Sequence, residues 1–110
     1  MYTYKATIID VYDGDTATAI VDLGMRVSTT VKLRFNGIDA PELKGDEKSA
    51  GLASRDRVRD LILNKEVIIK TYKDKQEKYG RWLADIYLPD KAWSINQLLL
   101  EEGLAAPYLD

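Results

Sequence analysis

Hydrophobic and polar residues alternate along the first third of the chain, which is the pattern of strands that bury one face. The first segment alternates toward Ala6, Ile8 and Val11 and is rich in β-branched and aromatic residues. The turn pairs Asp13-Gly14 and Gly24-Met25 interrupt the pattern. The predicted strands cover residues 2–12, 16–23 and 27–35. Their short connections predict a three-stranded meander.

The rest of the chain combines helical and strand patterns. The predicted elements are a loop over 36–46, a helix over 47–64, a strand over 66–72, a charged loop over 73–80, a strand over 81–88 and a helix from Ser94 to Glu102. Positions near one face of the first helix are Ala53, Arg57, Val58, Leu61 and Ile62. Ser94 and Gln97 form a capping-box signature, and Gly103 follows as a stop signal.

The order of these elements predicts the fold class. Three strands, a helix, two strands and a helix indicate a mainly β (α+β) protein. Its arrangement is the five-stranded OB-fold barrel, with a helix between strands 3 and 4 and a second helix near the C-terminus. A chain of 110 residues without a linker or repeat fits one domain over residues 1–110. This fold licenses binding and by itself says nothing about chemistry.

Composition narrows the chemistry. The chain has no cysteine and no histidine. This excludes disulfides, thiolate catalysis, serine–histidine triads and the usual zinc ligands. Any metal site must therefore be built from oxygen ligands, which suit Ca²⁺, Mg²⁺ or Mn²⁺.

Charge and the N-terminal sequence bear on partners and location. The formal net charge is −2, which argues against avid non-specific binding of nucleic acid but allows a local cationic patch. No apolar run is long enough to cross a bilayer, so we expect no membrane partner. Residues 1–5 lack the pattern of a signal peptide, so we expect a cytoplasmic protein, with a secreted mature form as the alternative.

Carboxylates and arginines cluster in the sequence around two turns. In Asp13-Gly14-Asp15-Thr16, a hairpin turn is the ordinary interpretation, and a cation ligand at Asp15 is the functional one. Asp39 and Glu42 lie three positions apart beyond a strand, where they could hold a hard cation and a water. Pro41 restricts Ala40 to an extended backbone that can aim its carbonyl at the same ion. Arg34, earlier on that strand, could contact a phosphate or form only a surface ion pair.

A second basic segment precedes the fifth predicted strand. In Lys78-Tyr79-Gly80-Arg81, the glycine lets backbone approach a ligand, and Tyr79 and Arg81 flank it. An exposed ion pair remains the ordinary alternative for Arg81. Tyr108 could pack the C-terminal segment or stack on a base.

Together these motifs resemble the staphylococcal nuclease (thermonuclease) family. The resemblance runs from about Ala6 to Ala106 and rests on four segments. They are Asp-Gly-Asp-Thr at 13–16, Arg-x-x-x-x-Asp-x-Pro-Glu at 34–42, Lys-Tyr-Gly-Arg at 78–81 and Gly-Leu-Ala at 103–105.

The resemblance implies a Ca²⁺-dependent endonuclease that cleaves DNA and RNA at the 5′ P–O bond and leaves 3′-phosphates. It implies Ca²⁺ ligation by Asp15, Asp39 and the Ala40 carbonyl, although the family usually has threonine at the latter position. Catalytic roles fall to Glu42 as the proposed general base and to Arg34 and Arg81 at the scissile phosphate. Substrate contacts fall to Lys78, Tyr79 and Tyr108.

The partner expected from this resemblance is DNA or RNA, preferably single-stranded, bound by a monomer. Two other interpretations stay open. One is a non-catalytic OB-fold module that binds nucleic acid or protein. The other is a barrel whose carboxylates bind Ca²⁺ for stability alone.

Overall fold

Five strands close into a barrel in the computed structural model, which describes residues 2–76 and 80–108. The barrel strands are β1 (Tyr2–Asp13), β2 (Thr16–Gly24), β3 (Val27–Phe35), β5 (Glu66–Gln76) and β6 (Trp82–Tyr87). Two short strands, β4 (Ile38–Asp39) and β7 (Ala106–Pro107), pair with each other outside the barrel. The helices are a 3-10 turn (Gly45–Glu47), α1 (Lys48–Ile62) and α2 (Ile95–Glu101). The predicted meander, barrel and two helices are confirmed.

The barrel closes through one parallel pair of strands. Its order is β1-β2-β3-β6-β5, and β5 returns to pair with β1. β3 and β6 run parallel, with Arg34 opposite Leu83, and the other pairs in the barrel are antiparallel. Closure leaves none of the five strands as a free edge. It also brings the end of β3, which carries Arg34, beside the start of β6, which Arg81 directly precedes.

Alternate residues of the strands fill the barrel with hydrocarbon. The buried side chains from these strands are Ala6, Ile8, Val11, Ala17, Ala19, Val21, Leu33, Phe35, Val67, Ile69, Leu83, Ala84 and Ile86. The two helices extend this core: Val58 and Ile62 of α1 and Ile95 and Leu99 of α2 are fully buried. Burial of this kind supplies most of the driving force for folding.

Helix α1 differs in its buried face from the prediction. Its buried residues are Gly51, Ser54, Val58 and Ile62, whereas Ala53 is exposed. The shift arises because the first turns approach backbone, where small residues are needed, rather than the hydrophobic core. A Cβ added to Gly51 would clash with the carbonyl oxygen of Glu42.

Two predicted loops contain strand structure. Residues 73–76, predicted as loop, continue β5, and Gln76 pairs with Trp82 across a register shift. The loop predicted over 36–46 contains β4, which pairs with β7 through Ile38–Pro107 and Asp39–Ala106. Neither segment has a strand pattern of its own. Pairing with β6 extends β5, and β4 forms because it pairs with β7, nearly seventy residues away.

A buried amide ties α2 to the barrel beside β4. The Asn96 side chain accepts a hydrogen bond from Ile86 N (3.0 Å) and donates to the carbonyl oxygens of Asn36 (2.9 Å) and Ala84 (3.1 Å). The predicted cap of α2 is confirmed, since Ser94 Oγ accepts from Gln97 N at 3.0 Å. Asn36 directly follows β3, so α2 helps to fix the chain where it leaves the barrel.

Candidate active site

Asp15 is the buried centre of the site. It lies at the turn into β2 and is 7% exposed. Its Oδ2 accepts a hydrogen bond from Ala40 N at 2.8 Å, and its Oδ1 accepts one from Thr16 Oγ1 at 3.0 Å. Phe35 N donates to the Asp15 carbonyl oxygen at 2.8 Å. The carboxylate therefore joins the β1–β2 turn to the segment after β3.

Arg34 lies between two of the carboxylates that the sequence assigned to a cation. Strand register sets it opposite Thr16. Its Nη1 lies 3.5 Å from Asp15 Oδ2, and its Nη2 lies 3.6 Å from Asp39 Oδ1. Nη1 also donates to the Phe35 carbonyl at 3.0 Å. The guanidinium thus spans Asp15 and Asp39 with different nitrogens.

Arg81 approaches Asp15 through Thr16. Its Nη1 donates to Thr16 Oγ1 at 3.1 Å, and that hydroxyl donates to Asp15 Oδ1. Two guanidinium groups therefore meet around one buried carboxylate, one directly and one through a hydroxyl. Such planar donors are suited to the oxygens of a phosphate.

Helix α1 supports the segment that carries Asp39, Ala40 and Glu42. Gly51 packs against the Glu42 carbonyl, and Glu42 N donates to Glu47 Oε1 at 3.1 Å. Within residues 2–76 and 80–108, the Glu42 carboxylate has no hydrogen-bond partner, and the residue is exposed. Its backbone is therefore held while its side chain stays open to solvent, where a water can reach it.

Tyr108 lies over Arg34. The guanidinium carbon is 5.5 Å from the centroid of the Tyr108 ring, which is the geometry of a cation–π contact. Tyr108 N donates to the Gly37 carbonyl at 2.9 Å, next to the β4–β7 pair. The residue is 46% exposed. Of the two interpretations of Tyr108, packing is what the structure describes, and the exposed part of its side chain leaves room for a base.

The structure brings together six of the nine predicted site residues. They are Asp15, Arg34, Asp39, Ala40, Arg81 and Tyr108, from the β1–β2 turn, the end of β3, the β4–β7 pair and the approach to β6. Glu42 follows two residues after Ala40 in the same segment. Lys78 and Tyr79, predicted to contact substrate, lie outside the described residues.

Three residues support the site although the sequence assigned none of them to it. Asp13 accepts from Asp15 N at 3.0 Å, which is the ordinary turn role; burial and the neighbouring Asp15 raise the pKa of Asp13 to about 7. Ser54 packs against Gly14, and a Cβ added to Gly14 would clash with the Oγ of Ser54. Asn96 acts from α2. Only Asp13 had a local signal, since the packing of Ser54 and Asn96 depends on distant segments.

The donor set fits a hard cation in part. Within the described ranges 2–76 and 80–108, no group of three acidic side chains is placed to hold a metal ion. A cation held by the Asp15 and Asp39 carboxylates and the Ala40 carbonyl would have only oxygen ligands from the protein, and it would take further ligands from water or substrate. In the same part of the chain, neither helix has the length and hydrophobicity needed to span a membrane.

Known proteins resemble this chain over most of its length. Residues 32–109 match the family described as staphylococcal nuclease homologue. The thermonuclease of Staphylococcus hyicus is 33% identical over 106 residues, covering 94% of this chain and 57% of that protein. The SPbeta prophage-derived endonuclease YokF of Bacillus subtilis strain 168 is 33% identical over 89 residues, and this match covers 69% of this chain and 29% of that protein.

The extent of these matches defines what they establish. The chain spans about half the length of the first relative and less than a third of the second. The family match nevertheless covers most of the chain, including Arg34, Asp39, Glu42 and Arg81. The resemblance drawn from the sequence motifs is thereby confirmed, and the chain belongs to the staphylococcal nuclease homologue family.

Proposed function

We propose that this protein is a Ca²⁺-dependent nuclease that hydrolyses phosphodiester bonds of DNA or RNA. The observation that carries the proposal is the position of Asp15. Its carboxylate lies 3.5 Å from Arg34 and accepts a hydrogen bond from the Thr16 hydroxyl, which itself accepts one from Arg81. Guanidinium groups are suited to phosphate oxygens, and carboxylates beside them can hold a cation that polarises the same phosphate. A phosphodiester is therefore the ligand that this arrangement fits best.

Each residue has a definite part in the proposed reaction. Asp15, Asp39 and the Ala40 carbonyl would hold Ca²⁺, which when bound neutralises phosphate charge and orients water. Glu42, exposed beside them, would accept a proton from the attacking water. Arg34 and Arg81 would donate to phosphate oxygens as negative charge grows in the transition state. Cleavage at the 5′ P–O bond would leave a 3′-phosphate.

The names of the relatives support this proposal. One is called a thermonuclease and the other an endonuclease. Single-stranded nucleic acid is the proposed preferred substrate, because unpaired bases are available to stack on the exposed part of Tyr108. All of the proposed site residues belong to one chain, so we propose that a monomer is active.

The test is digestion of denatured DNA with Ca²⁺, with EDTA, and with the Glu42→Gln variant. We expect cleavage with Ca²⁺ only, and a rate lower by about 10²- to 10⁴-fold in the variant, since a positioned base contributes that much. Glu66→Gln is the matched control, because Glu66 is an exposed carboxylate at the start of β5. End-group analysis of the products checks for 3′-phosphates.

The non-catalytic alternative predicts a different result. A folded protein that binds single-stranded DNA but leaves it intact with Ca²⁺, Mg²⁺ and Mn²⁺ would be an OB-fold binding module. Binding of Ca²⁺ that raises the melting temperature, without any affinity for nucleic acid, would instead identify a purely structural ion.

A further inference from the structure

Arg34 occupies the position from which a cation would neutralise Asp15 and Asp39. Its Nη1 and Nη2 lie 3.5 Å and 3.6 Å from one oxygen of each carboxylate. The side chains of Arg34 and Asp15 are only 11% and 9% exposed, whereas that of Asp39 is 59% exposed. Water therefore screens the contact with Asp15 only weakly, and the attraction between the two charges keeps the guanidinium beside the carboxylate.

A divalent cation and this guanidinium compete for the same oxygens. Ca²⁺ lies about 2.3–2.6 Å from its oxygen ligands. An ion bound to Asp15 Oδ2 and Asp39 Oδ1 would therefore lie within a few ångströms of Arg34, in a place where like charges repel strongly. One guanidinium offsets only half of the charge of two carboxylates, so a divalent ion is the stronger counter-ion once Arg34 moves.

Tyr108 holds Arg34 in this position. The ring lies 5.5 Å from the guanidinium carbon, and its backbone is fixed by the hydrogen bond to Gly37. The contact favours the orientation in which Arg34 faces the carboxylates, because a cation over an aromatic face is stabilised. The residue that directly follows β7 thus contributes to the charge balance of the site although it is not one of the proposed ligands.

We propose that Arg34 is the internal counter-ion of Asp15 and Asp39, that Tyr108 steadies it, and that a divalent cation binds these carboxylates by displacing it. The inference rests on the proposed function, because it uses the same two carboxylates as ligands. It adds that Arg34 lowers the affinity of the two carboxylates for the cation below the value that they would have without it. Arg34 is released toward the phosphate only when the ion has arrived.

Isothermal titration with CaCl₂, without nucleic acid, tests the inference. We expect Arg34→Gln to bind Ca²⁺ about tenfold more tightly than the unmodified protein, since two ion pairs no longer oppose the ion. Arg55→Gln is the matched control, because Arg55 pairs only with its exposed neighbour Asp56 among the described residues, at 3.1 Å. Its Ca²⁺ affinity should equal that of the unmodified protein.

Variants of Tyr108 provide a second test if Arg34→Gln folds poorly. Tyr108→Leu removes the aromatic face and should tighten Ca²⁺ binding about twofold to fivefold, whereas Tyr108→Phe keeps the face and should leave it unchanged. The calcium-induced rise in melting temperature should follow the same order.

The outcomes separate this inference from the proposed function. Equal or weaker Ca²⁺ binding by Arg34→Gln and Tyr108→Leu, with binding lost in Asp15→Asn, would overturn the inference and leave the cation site in place. Absence of Ca²⁺ binding in all variants would overturn both. Tighter binding by Arg34→Gln that disappears in the Arg34→Gln, Asp15→Asn double variant would establish the competition.

Discussion

Ala40 N donates a 2.8 Å hydrogen bond to Oδ2 of Asp15, which joins two segments that are 25 residues apart in the chain. The bond fixes the β4 segment against the turn into β2. It also uses one of the oxygens that Arg34 contacts, so a single carboxylate atom serves both the backbone and the charge balance of the site.

Asp15→Asn should separate these two roles. The amide oxygen can still accept from Ala40, but the negative charge beside Arg34 is lost. We expect the folded state to lose about 1–3 kcal/mol of stability and nuclease activity to fall at least about 100-fold. Urea unfolding and DNA digestion measure the two effects. Asp10→Asn, at an exposed position of β1, is the control and should retain both.

Gly14→Ala should destabilise the protein through packing alone. The added Cβ would clash with Ser54 Oγ and lie 2.9 Å from the Ala40 Cβ. We expect a loss of about 1–3 kcal/mol, as for other overpacked sites. Combining it with Ser54→Gly should cost less than the sum of the single variants. Additive losses in urea unfolding would mean that the helix and the turn do not press on one another.

Ser54→Ala should be neutral or stabilising. Ser54 is fully buried, and its hydroxyl has no hydrogen-bond partner among the described residues. Removing an unsatisfied polar atom relieves a desolvation cost of about 1–3 kcal/mol, less whatever the small void costs. Thermal unfolding checks this expectation. A loss above about 1 kcal/mol would instead indicate that a water or ligand satisfies the hydroxyl.

Tyr72→Phe should alter the stability at alkaline pH. The hydrogen bond from Tyr72 to Asp85 (2.7 Å) raises the pKa of the phenol from 10.0 to about 12. Because the folded pKa exceeds the unfolded one, the protonated phenol contributes stability that is complete below pH 10 and is lost as the pH rises through about 12. The variant should lose about 1 kcal/mol at neutral pH and show a shallower decline above pH 10.

Urea unfolding across this pH range, with Tyr12→Phe as the control, measures the effect. Tyr12 is 65% exposed on β1, so its replacement should leave the pH profile unchanged. Parallel profiles for Tyr72→Phe and the unmodified protein would show that the Tyr72–Asp85 bond does not govern this range.

The sequence predicted what is encoded locally. Alternation located the strands of the barrel, and Ser94 marked the start of α2 because a cap is a local signal. The motif residues came together because Asp15, Arg34 and Arg81 lie at strand ends that closure of the barrel makes adjacent. The pairing of β4 with β7 could not be predicted, since two-residue strands have no periodicity.

The sequence also could not reveal how the site residues satisfy one another. Arg34 was interpreted as either a phosphate ligand or a surface ion pair, and the structure pairs it with the carboxylates assigned to the cation. Strand register and the distant Tyr108 determine that pairing. Likewise, the buried face of α1 follows from the approach of Gly51 to the Glu42 carbonyl, which spacing alone does not specify.

The pairing of β7 with β4 has a consequence for synthesis of the protein. During translation, residues 38–39 leave the ribosome long before residues 106–108. A nascent chain therefore cannot pair Asp39 with Ala106, or place the Tyr108 ring against Arg34, until these last residues have emerged. The barrel strands can pair earlier, because their residues precede α2. A chain folded in this order completes the proposed site only after its barrel, so the proposed activity would begin only once Tyr108 has emerged.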